Sequence, residues 1–209
     1  MNVVFLHVAK INNYQEILDE ILSCLMKIID KIDKIYLAVL GIGDLTLPEN
    51  SKIEVVYSLD NIEEGEMATL DNIREYAINN ENCNILYLHL KGVTDNSLNK
   101  CLSDWREYML YFCVEKIDAC LELLKNNDTC GVDLRDIPTK HYSGNFWWAK
   151  SDYIKTLPPV SSLPLIISER HKSEFWICSQ LGSHVGMWDC GINVYERHMH
   201  RYTPDKYKR

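Results

Sequence analysis

Residues 85–92 read ILYLHLKG, an apolar strand that runs out into His89, Leu90, Lys91 and Gly92. Alternate side chains of a strand share a face, so His89 and Lys91 point to the same side, and Gly92 lets the backbone turn sharply beside them. Working outward, the same unbroken apolar run stands at 3–8 (VVFLHV) and 35–40 (IYLAVL), with a further strand expected at 53–57 (IEVVY). Strands that lack polar alternation are covered on both faces. Between them, Asn13 with Glu16 three residues on marks a helix start, and Ile17, Leu18, Ile21, Leu22, Leu25, Ile28, Ile29 and Ile32 follow helical spacing. A second helix is expected over 67–78. This alternation implies right-handed crossovers, hence an α/β fold with a mostly parallel central sheet flanked by helices.

The second half has a different texture. A long helix is expected from near Ser103, carrying Trp105, Met109, Phe112, Ile117, Cys120, Leu121 and Leu124 inward. A turn at 126–128, a strand near 129–133 and the dense segment HYSGNFWWAK (141–150) follow. Three prolines within 157–164 mark a loop, and a short helix is expected over 173–181. No internal repeat or dividing linker is visible, so residues 1–209 read as one domain, about 1–95 forming one half and about 96–209 the other. Ligand chemistry belongs where the strands end and loops begin.

Composition narrows the function. The chain of 209 residues, 46% hydrophobic, is long enough to bury a sizeable core. No apolar run approaches the ~20 residues that span a bilayer, and residues 1–8 read as a buried strand and not as a signal peptide. A net charge of −8 argues against nucleic acid as a partner. The tail reverses that sign locally, with Arg197, Arg201, Lys206, Lys208 and Arg209 among His198, His200, Tyr202 and Tyr207. Charge alone leaves two readings of it open, a patch for a small anion and a solvated tail. The eight cysteines contain no C-x-x-C pair and fit reduced thiols used as small hydrophobes.

No phosphate-loop, dinucleotide or nucleophile-elbow motif is present. Three segments carry the chemistry. His89 and Lys91 at a strand end suit an anion, lysine as a point charge and imidazole as a hydrogen-bonding partner. In HYSGNFWWAK, Trp147 and Trp148 face opposite sides of a strand, so one is free to stack on a sugar while Asn145 offers an amide to hydroxyls. Ser173 suits a helix N-cap, which puts Glu174 in the first turn, where the dipole favours its ionised form and a role as general base. A capping glutamate and a core tryptophan pair are the plainer readings of the same residues. His184, Asp189, Cys190, His198 and His200 match no zinc spacing.

The runs EGEMATL (64–70), YLHLKG (87–92), DWREYMLYF (104–112), HYSGNFWWAK (141–150) and SEFW (173–176) resemble a family of small GT-A-type glycosyltransferases. Its members occur in bacteria and in large DNA viruses of algae, including the amino-terminal glycosyltransferase domain of a chlorella-virus protein. The resemblance spans about residues 3–200 and implies a single GT-A-like domain with a nucleotide-binding half and an acceptor-binding half. It implies transfer of a sugar from a nucleotide-sugar, a UDP-sugar by expectation, to a hydroxyl of a glycan. It also implies a cytoplasmic protein, in the host cell if viral, that can form part of a longer multidomain chain.

On that reading Val8, Ala9 and Lys10 touch the base and ribose, with Thr69 and Asp71 lining the same pocket. His89, Lys91, His198, His200 and Arg201 hold the diphosphate. Asn145, Trp147, Trp148 and Glu174 form the acceptor side, with Glu174 as base. The family's Asp-x-Asp is replaced here by His89-Leu90-Lys91, which weakens a Mn²⁺ or Mg²⁺ site, since hard cations want oxygen ligands, although Asp95 nearby can supply one oxygen. Two other classes stay in view: a non-catalytic carbohydrate-binding module using the tryptophans, and another nucleotide-using α/β transferase.

Overall fold

Six consecutive residues, Val3 to Val8, are buried within strand β1 (Asn2–Ala9). A strand is apolar throughout only where both faces of its sheet are covered, and that is the arrangement found. The structure, a computed structural model, describes residues 1–95, 99–193 and 196–208. β1 lies between β2 (Lys34–Leu40) and β4 (Asn84–His89), parallel to both, and β3 (Ile53–Leu59) extends the sheet parallel to β2. Beyond β4 comes β8 (Trp147–Lys150), antiparallel to β4 and to its other neighbour β5 (Thr129–Gly131). β9 (His184–Gly186) closes the edge parallel to β5. The order is β3-β2-β1-β4-β8-β5-β9, with β6 (Leu134–Arg135) and β7 (His141–Tyr142) forming a separate small pair. This is one α/β domain with a mostly parallel sheet, consistent with a GT-A-like fold.

Alternate residues of β1 supply two cores. Val4, Leu6 and Val8 pack with α1 (Tyr14–Met26), α3 (Lys100–Leu110) and α4 (Ile117–Leu124). Val3 and Phe5 pack on the opposite face with α2 (Gly65–Asn79), α5 (Ser151–Ile154) and α6 (His171–Trp176). The strand read from Ile85 thus starts one residue earlier, at Asn84, and ends at His89, and α2 starts two residues before the expected 67. All eight cysteines are free thiols, Cys113, Cys120 and Cys130 being buried as small apolar groups. Among the described residues no helix is long and apolar enough to cross a membrane.

Three expectations need correction. The long helix from 103 is broken: α3 gives way to a π-turn over Tyr111–Glu115 before α4 starts. Inside that turn the Cys113 carbonyl accepts the Trp148 indole N–H at 2.7 Å, so the break serves a buried donor that would otherwise be unpaired. The first helix stops at Met26, and a 3₁₀ turn at Ile29–Lys31 carries the remaining isoleucines. Ser173 is no N-cap; α6 begins at His171 and ends at Trp176, so Ser173 lies inside it.

Gly131 of β5 marks the tightest point of the antiparallel region. A Cβ there would stand 2.8 Å from the Tyr142 ring and 2.9 Å from the Phe146 carbonyl. Gly131→Ala should therefore destabilise by about 1–3 kcal/mol through overpacking, seen in a thermal melt as a fall of roughly 2–4 °C per kcal/mol. An unchanged melting temperature would mean that this contact relaxes freely.

Candidate functional site

Strand order reverses at β1, with β2 and β3 following on one side and β4 on the other. Connections leave in opposite directions at such a point and open a crevice at the carboxyl ends of the strands. His7 and His89 stand opposite each other in register at that edge. Three more segments border it: the start of α2 with Glu66 and Thr69, the turn of Gly144 and Asn145 before β8, and α6 with Ser173 and Glu174.

Their polar atoms form one connected set. His89 Nε2 lies 2.9 Å from the Gly144 carbonyl, which only accepts, so that nitrogen carries a proton. His89 Nδ1 faces Glu66 Oε1 at 3.9 Å. The other Glu66 oxygen accepts from the Tyr87 hydroxyl at 2.7 Å and from Asn145 Nδ2 at 2.9 Å. Burial works to raise the Glu66 pKa, but the charges of His89 and His7 and these two hydrogen bonds outweigh it and hold the pKa at about 2. His7 Nδ1 meets Thr69 Oγ1 at 2.8 Å. Burial dominates that ring and, with the His89 charge, outweighs the pull of Glu66 to leave its pKa at about 4.

Gly144 and Asn145 both have left-handed backbones, φ 92° and 60°. A Cβ at 144 would collide with Met109 Sδ and come within 3.1 Å of the Trp105 ring, so the turn that feeds His89 its acceptor needs glycine there. The Lys91 ammonium sits over the Trp105 indole, 4.0 Å from the centroid, and makes no ion pair or hydrogen bond among the described residues. Burial lowers its pKa; Glu174 and then Glu66 oppose that, while Arg170 and Arg197 add to it. Lys91, Glu174, Glu66, Arg170 and Arg197 are therefore electrostatic neighbours, drawn from β4, α6, α2 and the tail.

Several expected site residues are placed elsewhere. Trp147 and Trp148 do face opposite sides of β8, but helices cover both faces and each ring is fully buried. Neither offers a face to a sugar, which removes the platform of a carbohydrate-binding module. Asn145 is buried as well, and its amide is committed to Glu66, to the Ser173 carbonyl at 3.3 Å and to Trp147 Nε1 at 3.0 Å. It positions Glu66 instead of greeting an acceptor. Asp71 accepts the Val160 amide at 3.1 Å and anchors that loop. Arg201 is paired with Asp104, with Nη2 at 2.9 Å from the carboxylate. His198 is exposed, and His200 is exposed beside Glu196 at 3.7 Å. Arg209 lies outside the described residues.

Thr69 joins the crevice through His7. Val8 is buried and paired with Val39 of β2, Ala9 is half-buried, and Lys10 donates to the Gly43 carbonyl at 2.9 Å. Glu66, His7 and Trp105 were not foreseen as site residues, and Arg197 only as one of the basic residues of the tail. The signal for Glu66 lay in EGE, one turn ahead of Thr69 on the same helix.

The end of β4 presents an imidazole and an ammonium, a donor set that does not fit Mn²⁺ or Mg²⁺. A second group, Asp133, Asp189 and Cys190, has ligand atoms within 4.8 Å of one another. Its carboxylates are already engaged: Asp189 is bidentate to Arg135, and Asp133 accepts from Tyr108 and the Cys190 amide. These bonds close a loop and explain the cluster without a cation.

The two shifted groups make acid stability legible. Unfolded His7 takes up a proton near pH 6.5 that the native ring refuses until about 4, so stability falls with acidification through that window. Unfolded Glu66 protonates near 4.5, the native carboxyl only near 2, so a second loss follows there. Melting temperature against pH should show both, with His7→Gln flattening the first and Glu66→Gln the second. Parallel curves for parent and variants would refute the assignment.

No match is found among curated proteins. Residues 2–175 match the family model described as "Domain of unknown function (DUF8361)", and the chain belongs to that family.

Proposed function

We propose that this protein transfers a sugar from a nucleotide-sugar, a UDP-sugar by preference, to a hydroxyl of a glycan. The observation that carries this reading is the convergence, at the switch point between β1 and β4, of an unpaired lysine with two glutamates on separate helices. Cleaving a nucleotide-sugar leaves a diphosphate, and Lys91 is a point charge placed to neutralise it as it departs. The backbone of Val8 to Lys10, with Thr69 behind it, borders the place where a nucleoside would lie. Activating the acceptor hydroxyl needs a carboxylate. Glu174, half-buried on α6, serves as that base, and Glu66, fixed by Tyr87 and Asn145, holds His89 and the 144–145 turn in position.

Two substitutions test separate parts of this proposal. Lys91→Ala should weaken UDP binding by about tenfold or more, the worth of a charged hydrogen bond, with the fold kept as read by circular dichroism. Equal affinity in calorimetry would take Lys91 out of the site. Glu174→Gln should leave donor affinity intact and lower turnover ~10²–10⁴-fold, as removal of a general base does. Loss of both binding and turnover would make Glu174 a structural or donor contact. Undiminished turnover would mean that the base lies elsewhere.

A further inference from the structure

Arg197 is only 1% exposed, yet Nε, Nη1 and Nη2 find no hydrogen-bond partner among the described residues. A buried charge without acceptors costs several kcal/mol, and proteins keep such groups rarely. What surrounds this guanidinium is aromatic. Its central carbon lies 5.5 Å from the Trp105 centroid, 5.1 Å from Tyr108 and 4.9 Å from Tyr202. Ring faces attract a cation but accept none of its five N–H bonds, so the fork is held in place and left chemically empty. Trp105 Nε1 is a further buried donor without a partner. The same indole carries Lys91, itself unpaired. Three donors that lack acceptors thus meet around one ring.

The cage is built from the tail. Asp104 on α3 accepts from Arg201 and from the Tyr202 amide at 3.0 Å, and Tyr202 and Tyr207 pack edge-on against Tyr108 at 5.2 and 5.4 Å. That docking brings Arg197 to Trp105. Asp133, an acid that acts electrostatically on Arg197, is already bonded to Tyr108, Cys190 and Arg135. Among the described residues no acceptor bonds the guanidinium.

We infer that Arg197, with Trp105 Nε1 and Lys91, forms a binding site for a phosphate-bearing anion of the pyrophosphate class, supplied by the C-terminal segment. The ligand reaches Arg197 from the side of Lys91, the more accessible of the two cations. The inference rests on the nucleotide-sugar reading for the remainder of the ligand, while the anion contact stands on the geometry above.

Inorganic pyrophosphate is the probe, in phosphate-free buffer, with calorimetry performed below the melting transition of each variant. The parent should bind it. Arg197→Met should weaken binding ~10- to 100-fold, and Arg197→Lys, which keeps the charge and loses the fork, should fall between. A residue kept for binding is a burden when empty, so Arg197→Met should melt roughly 2–4 °C higher or more without anion. Parent-like affinity in Arg197→Met, or no pyrophosphate binding by the parent, overturns the inference. A lower melting temperature for Arg197→Met with pyrophosphate binding retained makes Arg197 a structural cation, and does the same. Pyrophosphate binding that depends on Arg197, without cleavage of any nucleotide-sugar, would instead sink the transfer reading and leave the anion site standing.

Discussion

The carboxylate of Glu66 ties together parts of the chain that sequence separates widely. It binds Tyr87 and faces His89 on β4, and it takes the Asn145 amide from the turn before β8. Asn145 in turn receives Trp147 and reaches the Ser173 carbonyl of α6. One ionised group, about three-quarters buried, is held by hydrogen bonds from two directions and faces an imidazole in a third. Removing any donor would leave that charge underpaid in a medium of low dielectric, so the segments are fixed relative to one another by necessity. The crevice owes its shape to this arrangement more than to the strands alone.

Above that base the balance of charge inverts. Among the described residues neither Lys91 nor Arg197 has an acceptor, although carboxylates stand nearby on α2 and α6. Glu66 takes its two hydrogen bonds on one oxygen and turns the other toward His89, with no bond to Lys91. Trp105 makes the cations compatible with burial, since its faces offer attraction without a counter-ion. An acidic partner placed at this point would cancel the same charge and leave no capacity for a ligand.

The strands and both core faces were legible because burial on two sides leaves an unbroken apolar run, as Val3–Val8 shows. His89 and Lys91 were legible because a polar pair ending such a run has few structural excuses. Other features were hidden for physical reasons. Trp147 and Trp148 alternate as expected, but alternation does not say whether a helix covers the second face, and here it does. The π-turn at 111–115 answers an indole 35 residues away. Among the basic residues of the tail, nothing local distinguishes Arg201, which meets Asp104, from Arg197, whose guanidinium lies among aromatic rings. That choice is made by tertiary contacts alone. Glu66 was hidden by the two glutamates beside it, Glu63 and Glu64, which are exposed.

The chain's net charge of −8 repels anions at a distance, so the whole-molecule field cannot recruit a phosphate-bearing ligand. Screening in physiological salt confines that repulsion to about 8 Å. Within such a radius the sign is set by side chains, and Lys91, Arg170 and Arg197 reverse it locally. Desolvation then strengthens each contact, because the indole and phenol rings around Arg197 exclude the water that would compete for its N–H groups. Selection therefore falls to geometry at short range. A planar fork and a point ammonium around one indole favour a ligand with several oxygens over a single carboxylate. The tail that carries the fork is itself held by Asp104, which couples the anion contact to the docking of the last described segment on α3.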